Sequence, residues 1–396
     1  MADSPTVFMQ GIETPLAHVE PDLFFKATRR QVFHVKTSPF QGFGLTDEVP
    51  LRQFGVVSGL EIRVSGSIQF GGTITGTLMS NRWPYGLLRG VRISANGQNQ
   101  LISCNGIHLR ALQMMTPTSE DRGVARNVRD VAVQNGTASF SSEDWGTSGA
   151  NLLGPGRTVP AIGTYLFDLS FFVPIAFDQR FLTGALYAST SSTAIGLSLD
   201  WENLGNLFTL GGGATNPANS VNYSVHEVVY EIPVVDGHPV LPDLSSFHGI
   251  VATRNTAIAQ GDNEFILPGT SAGRMLERVF FSVTSGTGNG PTGAAPLAIN
   301  AANYGQIAWK YGGSGIPESV TTGQQLRYVN ERQFNSDIGA VWGIACWDFA
   351  NEWSLRDALN EGNYTDLRLL FNLANAPTGA FQEVVQETVF TAALAA

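Results

Sequence analysis

The chain has 396 residues, of which 43% are apolar and only 14% charged; that length accommodates two domains of ordinary size, and the charge content lies well below the about 25% of an average globular protein. A net charge of −10 excludes the surplus of Lys and Arg with which proteins displace counterions from nucleic acid, so no direct nucleic-acid partner is expected. So few charges over a real core mean either a neutral polar surface or a surface buried against partner chains.

Residues 1–23 read as an irregular arm, with Pro5, Pro15 and Pro21. Met1 to Gln10 has neither a basic nor an apolar stretch of the kind that marks a signal peptide. No window reaches about 18 uninterrupted apolar residues, so no membrane-spanning helix is expected. From Phe54 to Ile68 the chain alternates, with Leu60, Ile62 and Val64 on one face and Glu61 and Arg63 on the other, the period of a half-buried strand. Leu87 to Ser94 is a second strand and ends in the turn dipeptide Asn96-Gly97. Gly106 to Met115 suits a short helix, and residues 116–162 form a long Gly/Ser/Thr/Asn-rich excursion. Strands resume at Thr164 to Val173, Thr193 to Trp201 and Tyr223 to Val234. The second half offers Glu264 to Leu267, Leu276 to Thr284, Gln306 to Tyr311, Ile338 to Phe349, Asp366 to Leu373 and Phe381 to Thr391. No long amphipathic helix and no alternating βα pattern is evident. With 44 glycines and 19 prolines clustered between short apolar runs, the chain reads as all-β.

Two stretches match each other in order. An aromatic strand, Leu182 to Leu186 (LTGAL), an apolar strand and His226 to Glu231 (HEVVYE) are echoed by Val341 to Trp347, Leu355 to Leu359 (LRDAL), Leu367 to Phe371 and Gln382 to Glu387 (QEVVQE). The ordered set predicts two copies of one β domain. L-x-x-A-L has helical spacing and predicts a short helix in each. Gly237 to Leu244, with two prolines, marks the boundary. The expected division is an arm (1–23), a first sandwich (24–236) and a second (237–396), each of eight short strands.

Several stretches together resemble the tectivirus-type double jelly-roll major capsid proteins. GVVSGLEIRVSGSI is similar to that family's first long strand. LLRGVRIS, the Asn-Gly turn and GIHLRALQ resemble the strand, turn and helix after it. The clearest match is Phe167 to Ser189, FDLSFFVPIAFDQRFLTGALYAS; Leu197 to Asn203 and Tyr223 to Ile250 follow in the same order. The matches lie mainly within residues 54–250. The resemblance implies an all-β protein of two consecutive eight-stranded jelly rolls with short connecting helices. It implies a structural subunit of a tailless bacteriophage, not an enzyme, forming pseudo-hexagonal homotrimers that tile an icosahedral shell over an internal membrane. Penton and minor capsid proteins would be further partners. The virion capsid would be its location, after synthesis in the host cytoplasm, where the isolated thiols of Cys104 and Cys346 would stay reduced. The alternative is a viral jelly-roll lectin or receptor-binding spike, with Trp145, Trp201 and Trp353 stacking on sugars.

Chemistry motifs are weak, and no catalytic, cofactor or metal site is assigned. Gly269 to Gly273 fits G-x-S-x-G, but β-rich sequence follows it and no histidine comes later. Gly288 to Gly293 fits G-x-G-x-x-G without a βαβ unit around it. Asp236, His238, Asp243 and His248 lack regular ligand spacing. The acidic pairs Glu120/Asp121 and Glu143/Asp144 are adjacent, whereas glycosidase carboxyls face each other. One segment stands out: Phe24 to Lys36 holds four positive charges, three aromatics and no acid. Phe24, Phe25, Lys26, Arg29, Arg30 and Lys36 are therefore the candidate membrane-facing or assembly contact, since each cation near an anionic surface contributes about 1 kcal/mol.

Overall fold

A computed structural model describes residues 18–72, 78–79, 83–95, 98–115, 131–134, 163–189, 194–210, 214–255, 258–268, 273–285, 295–312, 317, 319–334, 339, 342–350, 358–375 and 380–391. The described residues open with a short strand, β1 (His18–Val19), and a helix, α1 (Pro21–Ala27), whose first position is a proline preset for helical φ.

The first set of strands comprises β2 (Arg30–Pro39), β3 (Thr46–Pro50), β4 (Val56–Gly72), β5 (Leu88–Ala95) and β6 (Gln98–Cys104). Helix α2 (Gly106–Met114) follows, opened by Asn105, whose side chain accepts from the His108 amide at 2.9 Å. The set continues with an accessory strand β7 (Val131–Gln134), then β8 (Gly163–Pro174), β9 (Ile195–Trp201) and β10 (Ala214–Tyr230). A linker strand, β11 (His238–Leu241), leads to the second set. That set is β12 (Ser246–Asn255), β13 (Gly261–Ile266), β14 (Arg274–Ser285), β15 (Tyr304–Tyr311), β16 (Ser319–Thr322), helix α3 (Gly323–Phe334), β17 (Ile344–Asp348), β18 (Leu367–Leu373) and β19 (Phe381–Thr391).

The two sets have one wiring. With β7 and the two-residue strands left aside, each has eight strands among the described residues, and each has a helix between its fifth and sixth. In both, the first strand pairs with the eighth, the eighth with the third and the third with the sixth. In both, the second pairs with the seventh, the seventh with the fourth and the fourth with the fifth, all antiparallel. These are two jelly rolls, as the resemblance implies. A single parallel contact fuses them: β6 of the first roll pairs with β12 of the second, Ile102 opposite Ile250 and Ser103 opposite Val251.

Alternation explains the strands that sequence patterning finds. Along β4, Leu60, Ile62 and Val64 are buried while Glu61 and Arg63 are exposed. β14 is different, because both of its faces are covered. Leu276, Val279, Phe281 and Val283 belong to the second roll's core, whereas Phe280 packs into the first. A strand buried on both sides reads as a continuous apolar run.

Four expectations change. L-T-G-A-L is a turn, not a helix: Leu182 and Gly184 have φ of 57° and 82°, and the Ala185 amide bonds to the Leu182 carbonyl at 3.0 Å. The second copy, L-R-D-A-L, lies largely outside the described residues. The strand expected from Ile338 starts only at Ile344: Gly339 is helical, Trp342 lies in a turn, and Gly343 has φ 61°. E-V-V-x-E does end both rolls, but its faces do not correspond. Val229 points into the first core, whereas Val385 points out of the second and toward the first; a one-residue offset reverses a strand's faces. The amphipathic helix α3 was not expected. Its buried stripe is Leu326, Asn330 and Phe334, spaced four apart but interrupted by an amide. The Asn330 side chain donates to the Cys346 carbonyl at 2.7 Å and accepts from the Cys346 amide at 2.9 Å, capping the edge of β17.

Candidate functional site at the seam and the N-terminal clasp

Where the rolls meet, one face of the β12–β19–β14–β17 sheet lies on the first roll. Phe280, Val385, Trp342 and Cys346 of the second roll share a core with Tyr85, Cys104 and Met115 of the first, and the Tyr85 and Trp342 rings are 5.4 Å apart. At the centre are three buried polar side chains. Arg278 donates through Nε to Glu387 Oε2 at 2.6 Å and through Nη1 to the Met115 carbonyl at 2.8 Å. His248 lies 3.0 Å from Glu387 Oε1 through Nε2 and 3.1 Å from the Pro174 carbonyl through Nδ1. A carbonyl only accepts, so Nδ1 carries a proton. Arg278 and His248 thus both tie Glu387 to backbone of the first roll, one at the end of α2 and one at the end of β8.

The electrostatics follow from burial and neighbours. Burial alone would raise the Glu387 carboxyl, but Arg278 and His248 outweigh it and hold it down at about 2. Arg278 is held above its usual value: burial opposes its charge, and Glu387 more than compensates. Beside it the β14–β19 register slips, and Glu277 is the extra residue of this bulge. Glu277 is fully buried, and neither of its carboxyl oxygens has a hydrogen-bond partner among the described residues. Burial, then the charge of Glu387, pushes it up to about 9 despite Arg278. The thiols of Cys104 and Cys346 are buried, free and raised, chiefly by burial, which keeps them unreactive.

The clasp is built by α1. Phe24 is fully buried among Val56, Ala176, Leu182, Ala185 and Val240. β1 lies parallel to the linker strand β11, His18 opposite Val240 and Val19 opposite Leu241, and the Glu20 amide donates to the Leu241 carbonyl at 3.2 Å. The six candidate contact residues therefore do not form one patch. Phe24 is core and presents nothing outward. Lys36 is about 20 Å from Arg30 along β2, at a rise of about 3.3 Å per residue. There it sits over the Tyr223 ring at 5.6 Å and donates to the Glu48 carbonyl at 3.3 Å. Phe25, Lys26, Arg29 and Arg30 stay together. The three cations are exposed, Arg30 is 3.9 Å from Glu61, and the Phe25 ring meets the outlying Phe181, 65% exposed, edge-on at 6.4 Å. The acids Glu20 and Asp22, also exposed, flank this group.

The other sequence candidates disperse. Trp201 is fully buried, its indole N–H donating to Asp47 Oδ2 at 2.7 Å, so it is no sugar platform; Trp145 and Trp353 lie outside the described residues. Of the four suggested metal ligands, His248 is held in the seam and Asp236 sits in a turn at φ 51°. Among the described residues no group of three or more possible ligands could hold a metal, and no helix is long and apolar enough to cross a membrane. Strand β14 follows Gly273 directly, where a nucleophile elbow would need a helix. The G-x-G-x-x-G stretch and both acidic pairs lie outside the described residues. What sequence reading missed is the seam itself, whose signal was the apolar run Val279 to Phe281 beside the charged pair Glu277 and Arg278 in β14.

Two predictions follow from the seam's charges. Arg278→Ala leaves Glu387 buried without its arginine partner and should cost about 3–5 kcal/mol, read as a lower urea midpoint; an unchanged midpoint would show the lock to be dispensable. Glu277 gives the alkaline limb of stability. Its folded value of about 9 exceeds its unfolded 4.5, so the native state holds an extra proton between them. Stability is then full below pH 4.5 and declines as pH rises toward 9, by at most about 1.4 kcal/mol per unit. Glu277→Gln should flatten this limb, and a variant with the wild-type slope from pH 6 to 9 would refute the assignment.

Residues 15–245 match the family described as P3 major capsid protein N-terminal, more than half of the chain. No curated protein sequence matches. Among solved structures, the major capsid protein of Sulfolobus turreted icosahedral virus is similar over 91% of this chain and 97% of its own, with a TM-score of 0.61 at 15% identity. The Faustovirus major capsid protein is similar over 98% and 92%, with a TM-score of 0.53 at 10% identity. Such identities speak for the fold, and the fold they share is the paired jelly roll traced above. By its family match the chain belongs to the P3 major capsid protein N-terminal family, and it is a viral major capsid protein of double jelly-roll type, a structural protein rather than an enzyme.

Proposed function

We propose that the chain is the shell subunit of a tailless bacteriophage, forming homotrimers of pseudo-hexagonal outline that tile an icosahedral capsid over an internal membrane. The observation that carries this is the repeated wiring: two rolls with the same six pairings stand side by side, joined by a buried seam. Three copies then supply six nearly equivalent rolls, and a closed cyclic trimer is a common symmetric outcome. The division into arm (1–23), first roll (24–236) and second roll (237–396) belongs to this reading. So do penton and minor capsid partners, and synthesis in the host cytoplasm, which suits two buried free thiols.

Light scattering on the purified 42.4 kDa chain should give a species of three subunits, with a hexagonal outline by negative-stain microscopy. A monomer that persists at high concentration would overturn the proposal.

Contact with the membrane is assigned to the α1 end, where Phe25, Lys26, Arg29 and Arg30 adjoin the exposed Phe181. Lys26→Glu with Arg29→Glu should weaken binding to vesicles containing anionic lipid by about tenfold or more, since each cation contributes about 1 kcal/mol. Equal binding of variant and wild type in a vesicle-flotation titration would remove this end from membrane contact.

A further inference from the structure

The outer face of the first roll carries a set of metal-ligating side chains that the shell role does not use. His34 on β2 and His226 on β10 are direct cross-strand partners, and Glu61 on β4 is the next residue in the same row. The row faces away from the core: Val225 and Glu227, on either side of His226, are fully buried, whereas His34 and Glu61 are exposed and His226 is half-buried. The β2–β10 ladder slips by one residue here, which leaves Val35 unpaired and sets His34 opposite His226. The two ring centres are 5.2 Å apart, with their planes inclined at 66°. Two imidazoles on one tetrahedral ion, each with a nitrogen about 2.0–2.1 Å from the metal, have ring centres about 5 Å apart.

The surroundings suit ligation. His34 Nε2 is 2.7 Å from the Thr37 hydroxyl. With that oxygen accepting, Nδ1 keeps its lone pair, and a second partner of this kind is what orients a ligating histidine. The His34 carbonyl accepts from Arg52 Nη2 at 2.9 Å, which steadies the backbone beneath the ring. The His226 ring has no hydrogen-bond partner among the described residues. Arg63, two positions along β4 from Glu61, is paired with Asp168, and Arg30 lies 3.9 Å from Glu61. The corresponding strands of the second roll, its first, eighth and third, carry His248, Glu387 and Arg278. That set is buried and includes its own cation. In the first roll the third strand supplies a carboxylate instead, and the row is open to solvent.

We infer that His34 and His226 together bind one transition-metal dication of the kind imidazole prefers, such as Zn²⁺, with water completing the coordination and Glu61 adding negative charge beside it. Two protein ligands make a site that loads and unloads, unlike a closed structural centre with four. Its effect is mechanical. β2 is the terminal strand of its sheet, and an ion shared with β10 fastens it from the solvent side. The site lies within one chain and does not rest on the trimeric reading.

The test uses the full chain, stripped of metal with EDTA and dialysed. Calorimetric titration with ZnCl₂ should show one ion per chain, and His34→Asn and His226→Asn should each weaken binding by about tenfold or more. The thermal midpoint of the wild type should rise with Zn²⁺ concentration, and that of either variant should not. Without metal all three should melt together, because the row is on the surface. Mg²⁺, which takes oxygen ligands, should leave the midpoint unmoved. Anomalous scattering from a crystal grown with Zn²⁺ gives a check that needs no variant: a peak about 2.0–2.1 Å from a nitrogen of each ring. The assignment is overturned by a wild-type chain that binds no Zn²⁺, by variants that bind it as tightly, by an equal shift with Mg²⁺, or by a peak confined to other residues.

Discussion

The β12–β19–β14–β17 sheet of the second roll is covered on both faces, and most of the architecture follows from that constraint. On one side Val279, Phe281 and Val384 fill the roll's own core; on the other Phe280 and Val385 enter the core of the first roll. A sheet in this position cannot hand its unmet polar groups to water. The charges placed there have to be matched within the protein, which is what Arg278, Glu387 and His248 accomplish with the carbonyls of Met115 and Pro174. Such a set adds less to stability than apolar residues of the same size would, but it tolerates only one alignment of its partners. The apolar contacts hold the rolls together, and the ionic set selects their register.

Glu277 shows the cost of that arrangement. The bulge that accommodates it interrupts the β14–β19 ladder beside the lock, and its carboxyl stays protonated through the neutral range. A second buried anion next to Glu387 would compete for Arg278. Holding the proton avoids this competition, at the expense of tolerance to alkali.

Much of the fold was legible in the sequence, and the reasons differ by element. β4 announces itself because one face is core and the other carries Glu61 and Arg63. The short helix expected over Gly106 to Met115 is α2, and the structure adds Asn105 as its cap. α3 was hidden because Asn330 occupies the middle of its stripe, an amide that looks exposed until its two bonds to Cys346 are seen. L-T-G-A-L was misread because Leu182 and Ala185 share a buried side through a turn, which periodicity cannot separate from a helical step. The basic run from Lys26 to Lys36 is continuous in sequence, yet a helix followed by an extended strand spreads it over the length of the roll. Which charges are neighbours depends on the rise per residue, and composition does not contain it. The seam was the least legible feature, since its residues come from strands more than a hundred positions apart.

The pairing of β1 with β11 has a mechanical consequence. The linker between the rolls is not a free tether, because His18 and Val19 run beside it and Phe24 anchors the same strand from behind. A bend at the linker would have to strip the start of the chain away before the rolls could splay. Each subunit therefore responds to load as a stiff plank instead of a hinge. Curvature in any larger assembly of such planks is accommodated at the joints between them.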